Sequence, residues 1–224
     1  MIDTGIRTLV AEDGHELTAY QALPEGEPKA GLVLIQEVFG VNHHIRAVAD
    51  HFAGRGFAVI APALFDRVER GIELGYGEAD LARGRELRTT IGWQGPMMDT
   101  AAAMRAFDTS GKRVAVIGYC WGGSIAWLAA TRLHPACTVC YYGGQIGDFK
   151  DEAPHCPVLM HFGERDHIIT PDVVQAIRQA QPSVEIHVYP AGHGFNCTER
   201  PDFHAESAHQ ALDRTLTFFD THLL

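Results

Sequence analysis

Gly118-Tyr119-Cys120-Trp121-Gly122-Gly123 follows a short β-branched run, Arg113-Val114-Ala115-Val116-Ile117, and precedes Ser124-Ile125-Ala126-Trp127-Leu128-Ala129-Ala130, which reads as helix. A strand, a Gly-x-Cys-x-Gly turn and a helix in that order make a nucleophile elbow, with cysteine where serine usually stands. Such a turn is tight and strained, so a Cβ at Gly118 or Gly122 is expected to crowd the adjoining strand and helix. The apex side chain stands at a helix N-terminus, where free N–H groups and the helix dipole favour a thiolate. The bland alternative is a small buried cysteine at a glycine-rich strand end. The rest of the chain has to decide between the two.

A catalytic nucleophile needs partners, and elbow enzymes order them nucleophile, acid, histidine. After Cys120, the strand-like run Pro157-Val158-Leu159-Met160-His161-Phe162 breaks at Gly163-Glu164-Arg165-Asp166. Glu185-Ile186-His187-Val188-Tyr189 then alternates like a strand and ends in Ala191-Gly192-His193-Gly194-Phe195. Asp166 and His193 thus each fall just past the carboxyl end of a strand, where α/β sheets carry their sites. Order and context agree with the elbow.

The remaining pattern sets the architecture. Two weakly alternating segments from Ile6 to Ala22, split by Asp13-Gly14, predict a hairpin. The apolar runs Gly31–Ile35 and Phe57–Ala61 predict central strands, with a helix from His44 to Gly54 between them. Residues 66–95 are polar, glycine-rich and poorly periodic, and are expected to form a cap or mobile wall over the site. Further helices are expected at Met97–Phe107, Pro171–Ala180 and Phe203–His222. This β-α-β-α rhythm implies an α/β fold, a mostly parallel central sheet with helices on both faces. Without linker, repeat or low-complexity tract, the 224 residues read as one domain, 1–224.

Composition excludes several classes. A formal charge of −10 leaves no basic stripe for a nucleic acid, so an anionic ligand would need local arginines. No apolar run reaches membrane-spanning length, and Met1–Ile6 has no secretory n-region, so a cytoplasmic protein is expected. Five cysteines, an odd number, suit a reducing compartment. Cys137 and Cys140 match C-x-x-C, but on the strand read there they face opposite sides, which suits neither redox nor metal work. The thirteen histidines include no H-E-x-x-H, and apart from adjacent His43 and His44 most read as surface or helix residues. No metal is expected. Nothing decides between monomer and dimer.

A carboxylate follows the strand at Gly31–Ile35, in Gln36-Glu37-Val38-Phe39-Gly40. Together with Gly118–Gly123, Gly163–Asp166 and Gly192–Phe195, that block makes the sequence resemble the dienelactone hydrolase family, from about Ile6 to Leu223. The resemblance implies a single-domain α/β-hydrolase that opens enol-lactones or small esters without a cofactor. It implies Cys120 as nucleophile, His193 as general base and acid, and Asp166 as the group orienting the imidazole. Glu37 would help to generate the thiolate when substrate binds, and the backbone N–H groups of Val38 and Trp121 would form the oxyanion hole. Because a thiolate is itself readily expelled, a cysteine hydrolase suits activated esters with good leaving groups better than amides.

In the family, two arginines grip a substrate carboxylate, one before the elbow and one shortly after the catalytic histidine. Arg83, Arg85 and Arg88 lie near the first position; at the second stands Cys197, with Arg200 three residues on. Phe39, Trp121 and Tyr142 are candidates for an apolar wall, against the alternative of ordinary core. Other readings keep the fold and change the role: a general carboxylesterase, a non-catalytic scaffold for a small ligand, or a thiol-redox protein pairing Cys120 with Cys197.

Overall fold

The computed structural model describes residues 1–108 and 111–224. The chain separates into two compact units, Met1–Val116 and Ile117–Leu224. The first opens with β1 (Asp3–Val10) and β2 (Glu16–Leu23), the hairpin expected around Asp13-Gly14, paired antiparallel from Asp3↔Leu23 to Val10↔Glu16. β3 (Gly31–Ile35) and β4 (Ala58–Pro62) pair parallel, and β2 joins β4 antiparallel, giving the order β1-β2-β4-β3. Every residue of β3 and β4 is buried, so both faces of these strands are covered, and that explains their unbroken apolar sequence.

Between β3 and β4 runs α1 (His43–Ala53), started by Asn42, whose side-chain oxygen accepts the Ile45 N–H at 3.3 Å. α1 and a later helix, α3 (Gln94–Arg105), both pack on β4. Within residues 66–95, read from the sequence as a poorly periodic cap or wall, Glu78–Ile91 form a helix, α2. Its sequence hides it, because only Gly84 and Leu87 of its fourteen residues are buried and the charged residues run round the rest. Gly84 is the contact point: a Cβ there would lie 2.0 Å from the Val38 carbonyl oxygen. Behind the hairpin turn, Arg67 bonds both oxygens of buried Asp99 on α3 (2.8 and 2.7 Å) and reaches Asp13 at 2.7 Å.

β5 (Val114–Tyr119) carries the chain across the sequence boundary into the second unit. There α4 (Trp121–Arg132), β6 (Cys137–Tyr141), β7 (Val158–Gly163), α5 (Pro171–Ala180), β8 (Glu185–Tyr189) and α6 (Ala205–His222) follow in the strand order β5-β6-β7-β8. β6 with β7 and β7 with β8 are parallel, as expected. α4 and α6 both pack on β6, and all of β6 and β7 is buried. His161 lies within β7, in the strand-like run read from the sequence, and has no solvent exposure. Cys137 and Cys140 are fully buried members of β6. Among the described residues, no helix is long and apolar enough to cross a membrane.

Candidate active site

The elbow is built as its sequence requires. β5 ends at Tyr119, α4 begins at Trp121, and Cys120 between them adopts φ 55 and ψ −119, a left-handed conformation costly for any residue with a Cβ. Gly118 makes room for the turn: a Cβ there would stand 1.9 Å from the Gly122 carbonyl oxygen. The strained residue is pinned on both sides. Its N–H donates to the Tyr141 carbonyl (3.0 Å), and its own carbonyl accepts the Gly123 N–H (2.9 Å). The sulfur therefore projects from the N-cap position of α4, half-buried.

Asp166 and His193 arrive from the ends of β7 and β8, inside the same compact unit. His193 Nε2 lies 3.2 Å from Cys120 Sγ, and Nδ1 lies 2.7 Å from Asp166 Oδ2. The other Asp166 oxygen accepts the N–H groups of Ile168 (2.7 Å) and Ile169 (3.0 Å). Sequence reasoning did not identify that pair of donors; the local signal was an aspartate three residues before the end of a turn, an Asx geometry. Burial pushes the Asp166 carboxyl up, but His193 and these amides outweigh it and hold it below the usual carboxylate range. Burial pulls the His193 imidazole down, but the Cys120 sulfur and Asp166 outweigh that and raise it to about 10. The arrangement stabilises an imidazolium facing a sulfur.

Tyr142 frames the histidine. Its ring centroid lies 5.3 Å from that of His193, edge to face, and 5.3 Å from Phe195. It too is backbone-strained, at φ 37, and held by donation of its N–H to the His161 carbonyl (2.8 Å). Trp121, buried, occupies the first position of α4. Arg200 is in the same unit and its guanidinium lies against Gly194, where a Cβ would come within 2.6 Å of Cζ. Cys197, the candidate redox partner, is fully buried.

The remaining candidates belong to the first unit. Glu37 is fully buried just past β3, with a carboxylate oxygen within 4.8 Å of a His44 ring nitrogen. Val38 follows, buried and backed by Gly84. Phe39 is buried against Tyr76, ring centroids 4.6 Å apart. Arg83, Arg85 and Arg88 all lie on α2. Arg83 is engaged by Glu69 (2.6 Å) and Glu86 (2.8 Å), and Arg85 is exposed.

Comparison with known proteins converges on one family. The model of the Dienelactone hydrolase family matches residues 17–223. A Yersinia pestis protein, provisionally named a carboxymethylenebutenolidase, is 35% identical, with 96% of this chain and 87% of the relative covered. The carboxymethylenebutenolidase of a Pseudomonas species is 31% identical over 96% of this chain and 94% of its own. In three dimensions, a Klebsiella pneumoniae protein provisionally named a dienelactone hydrolase superposes with a TM-score of 0.87 at 29% identity, covering 98% of this chain and 99% of the other. With the family's sequence pattern matched over nearly its whole length and its α/β architecture reproduced, the chain belongs to the dienelactone hydrolase family and is a hydrolase of ester or lactone bonds.

Proposed function

We propose that the protein hydrolyses small enol-lactones or activated carboxylic esters through a Cys120–His193–Asp166 triad and a thioester intermediate. The observation carrying this reading is the unbroken contact series from Sγ to Nε2 (3.2 Å) and from Nδ1 to a buried carboxylate (2.7 Å). When substrate binds, the proton of the Cys120 thiol passes to His193. The Cys120 thiolate attacks the carbonyl carbon, and the tetrahedral oxyanion collapses with cleavage of the ring C–O bond. The enolate departs with that electron pair and takes the imidazolium proton. Neutral His193 then removes a proton from water as its oxygen attacks the thioester, and the C–S bond breaks to regenerate thiolate and imidazolium. The product is the free acid.

The backbone N–H of Trp121, next after the nucleophile, is a proposed oxyanion donor, with the Val38 N–H as the second. Glu37 is proposed to promote the thiolate when substrate binds. Arg200 is the proposed contact for a substrate carboxylate, since its guanidinium is beside the residue following His193; Arg83 already answers to two carboxylates. No cofactor enters this chemistry. The odd number of cysteines, five, suits the reducing, cytoplasmic setting proposed for the protein.

The test is turnover of dienelactone, neutral lactones and aryl esters by wild type and Cys120→Ala, with mass spectrometry of the quenched wild-type enzyme. An acyl adduct on the Cys120 peptide and loss of turnover in the variant are the expected results. Activity surviving in Cys120→Ala overturns the triad, and activity confined to neutral aryl esters favours the general carboxylesterase.

A further inference from the structure

Behind the triad, in the same compact unit, lies a buried polar chain with no part in the chemistry above. His161 Nδ1 lies 2.9 Å from the Tyr189 hydroxyl, and Nε2 lies 3.1 Å from the Thr215 hydroxyl on α6. Thr215 in turn meets the Tyr141 hydroxyl at 2.8 Å. His161, Thr215 and Tyr141 have no solvent exposure, and Tyr189 has 2%. The groups facing the imidazole are the Tyr141 ring at 4.5 Å, the His187 ring at 6.2 Å and Arg214, which lies over the Tyr189 ring. Burial, then the neighbouring His187 and Arg214 charges, hold the His161 imidazole well below its ordinary range, so it is neutral, one ring nitrogen donating and the other accepting.

Tyr141 ends β6, His161 lies within β7 and Tyr189 ends β8, beside the segments that carry Cys120, Asp166 and His193. The Tyr141 carbonyl accepts the Cys120 N–H, fixing the strained elbow. The His161 carbonyl accepts the N–H of Tyr142, whose ring packs on His193, and His161 lies five residues before Asp166 on the same segment. The Tyr189 carbonyl accepts the Glu164 N–H (2.7 Å), and Arg165 donates to Ala191 (2.9 Å), tying the Asp166 loop to the His193 loop. Tyr141 is paired with His161 in register, and His161 with His187. The backbone ladders fix the register of these strands, and side-chain bonds across their ends add directional restraint. The His161 ring on β7 bonds β8 directly through Tyr189 and β6 through Thr215, which also meets Tyr141, and the buried setting strengthens every bond in the chain.

We propose that His161 is a positioning residue of this hydrolase: by bridging Tyr189 and Thr215 it fixes the carboxyl ends of β6, β7 and β8 against one another, and so sets the Cys120–His193–Asp166 geometry. The inference rests on the triad reading.

The experiment compares His161→Leu, which removes both bonds, with His161→Gln, which can both donate and accept. For each folded variant, kcat and KM are measured on the best wild-type substrate. The Cys120 thiolate is titrated by its ultraviolet absorbance, with a Cys120→Ser background subtracted. We expect His161→Leu to lower kcat roughly thirtyfold with KM within about threefold, because displacement of reacting groups well under an ångström is felt in the chemical step. Its thiolate titration should shift, and His161→Gln should recover most of both. Wild-type kcat and titration in His161→Leu, even with a lowered Tm, overturn the proposal and leave His161 a packing residue. Should His161→Leu fail to fold, Thr215→Val and Tyr189→Phe each delete one hydroxyl, and wild-type kcat and titration in both overturn it equally. Cys120→Ala run alongside separates the two failures: turnover in that variant removes the triad, whereas an inactive Cys120→Ala beside an unimpaired His161→Leu removes only the positioning role.

Discussion

His193 Nε2 stands 3.2 Å from Cys120 Sγ because the opposite edge of the ring is locked, its Nδ1 at 2.7 Å from Asp166 and Asp166 itself held by two loop amides. The carboxylate thereby selects the tautomer with the proton on Nδ1 when the ring is neutral, leaving Nε2 to accept from water. Asp166→Asn preserves the shape but can present its amide to the ring the wrong way round. We expect kcat to fall roughly a thousandfold, with KM changed little, as for other orienting carboxylates. Steady-state kinetics decide it. A loss under about tenfold would show that the ring is oriented without this bond.

The His193 shift carries a pH signature. Its folded value, about 10, exceeds the ordinary histidine value of 6.5, so the folded state holds the proton more tightly than the unfolded chain does. The corresponding stabilisation is complete below pH 6.5 and is lost as pH rises toward 10. The Cys120 sulfur is the largest contribution raising His193. Between about pH 8.5 and 10, where the unfolded chain has also lost the Cys120 proton, Tm should therefore fall more steeply in wild type than in Cys120→Ala. In wild type, kcat/KM should also decline as pH passes 10 and the imidazolium is lost. Parallel Tm curves for the two proteins would mean that the sulfur does not hold the His193 proton.

Arg200 distinguishes substrates by charge. With its guanidinium beside Gly194, Arg200→Ala should raise KM for an anionic lactone about tenfold, on the order of 1.4 kcal/mol, and leave KM for a neutral aryl ester within about twofold. Equal changes on both substrates would assign Arg200 to the packing of the His193 loop.

The strands, the turn at Cys120 and the placing of Asp166 and His193 past strand ends were legible because each is written in local sequence. Five consecutive buried residues make β3 an unbroken apolar run, and a left-handed Cys120 needs glycine at 118. α2 was illegible for the complementary reason. A helix that buries only Gly84 and Leu87 shows no apolar stripe, and its central glycine argues locally against helix. His161 was placed in a strand by its sequence, but its bonding was not legible, because one polar residue in an apolar strand looks the same in sequence whether it is satisfied or not. Its partners are 28 and 54 residues away, at Tyr189 and Thr215, and only the folded chain brings them to it.

Gly84 offers a test in which the general rule and the local geometry give opposite signs. Glycine inside a helix costs about 1 kcal/mol relative to alanine, so Gly84→Ala on α2 would ordinarily stabilise. Here the new methyl would lie 2.0 Å from the Val38 carbonyl oxygen, a backbone atom that cannot rotate away. Either α2 or the Val38 peptide must move, at an overpacking cost of about 1–3 kcal/mol. We expect a net loss near 1 kcal/mol, a Tm lower by roughly 2–4 °C. If Val38 is an oxyanion donor, moving its peptide also weakens transition-state binding, so kcat should fall in the folded variant while KM stays close to wild type. Calorimetry and steady-state kinetics on one preparation separate the effects. A lower Tm with unchanged kcat would make Gly84 a packing contact alone, and a raised Tm would mean that α2 yields to the methyl without strain.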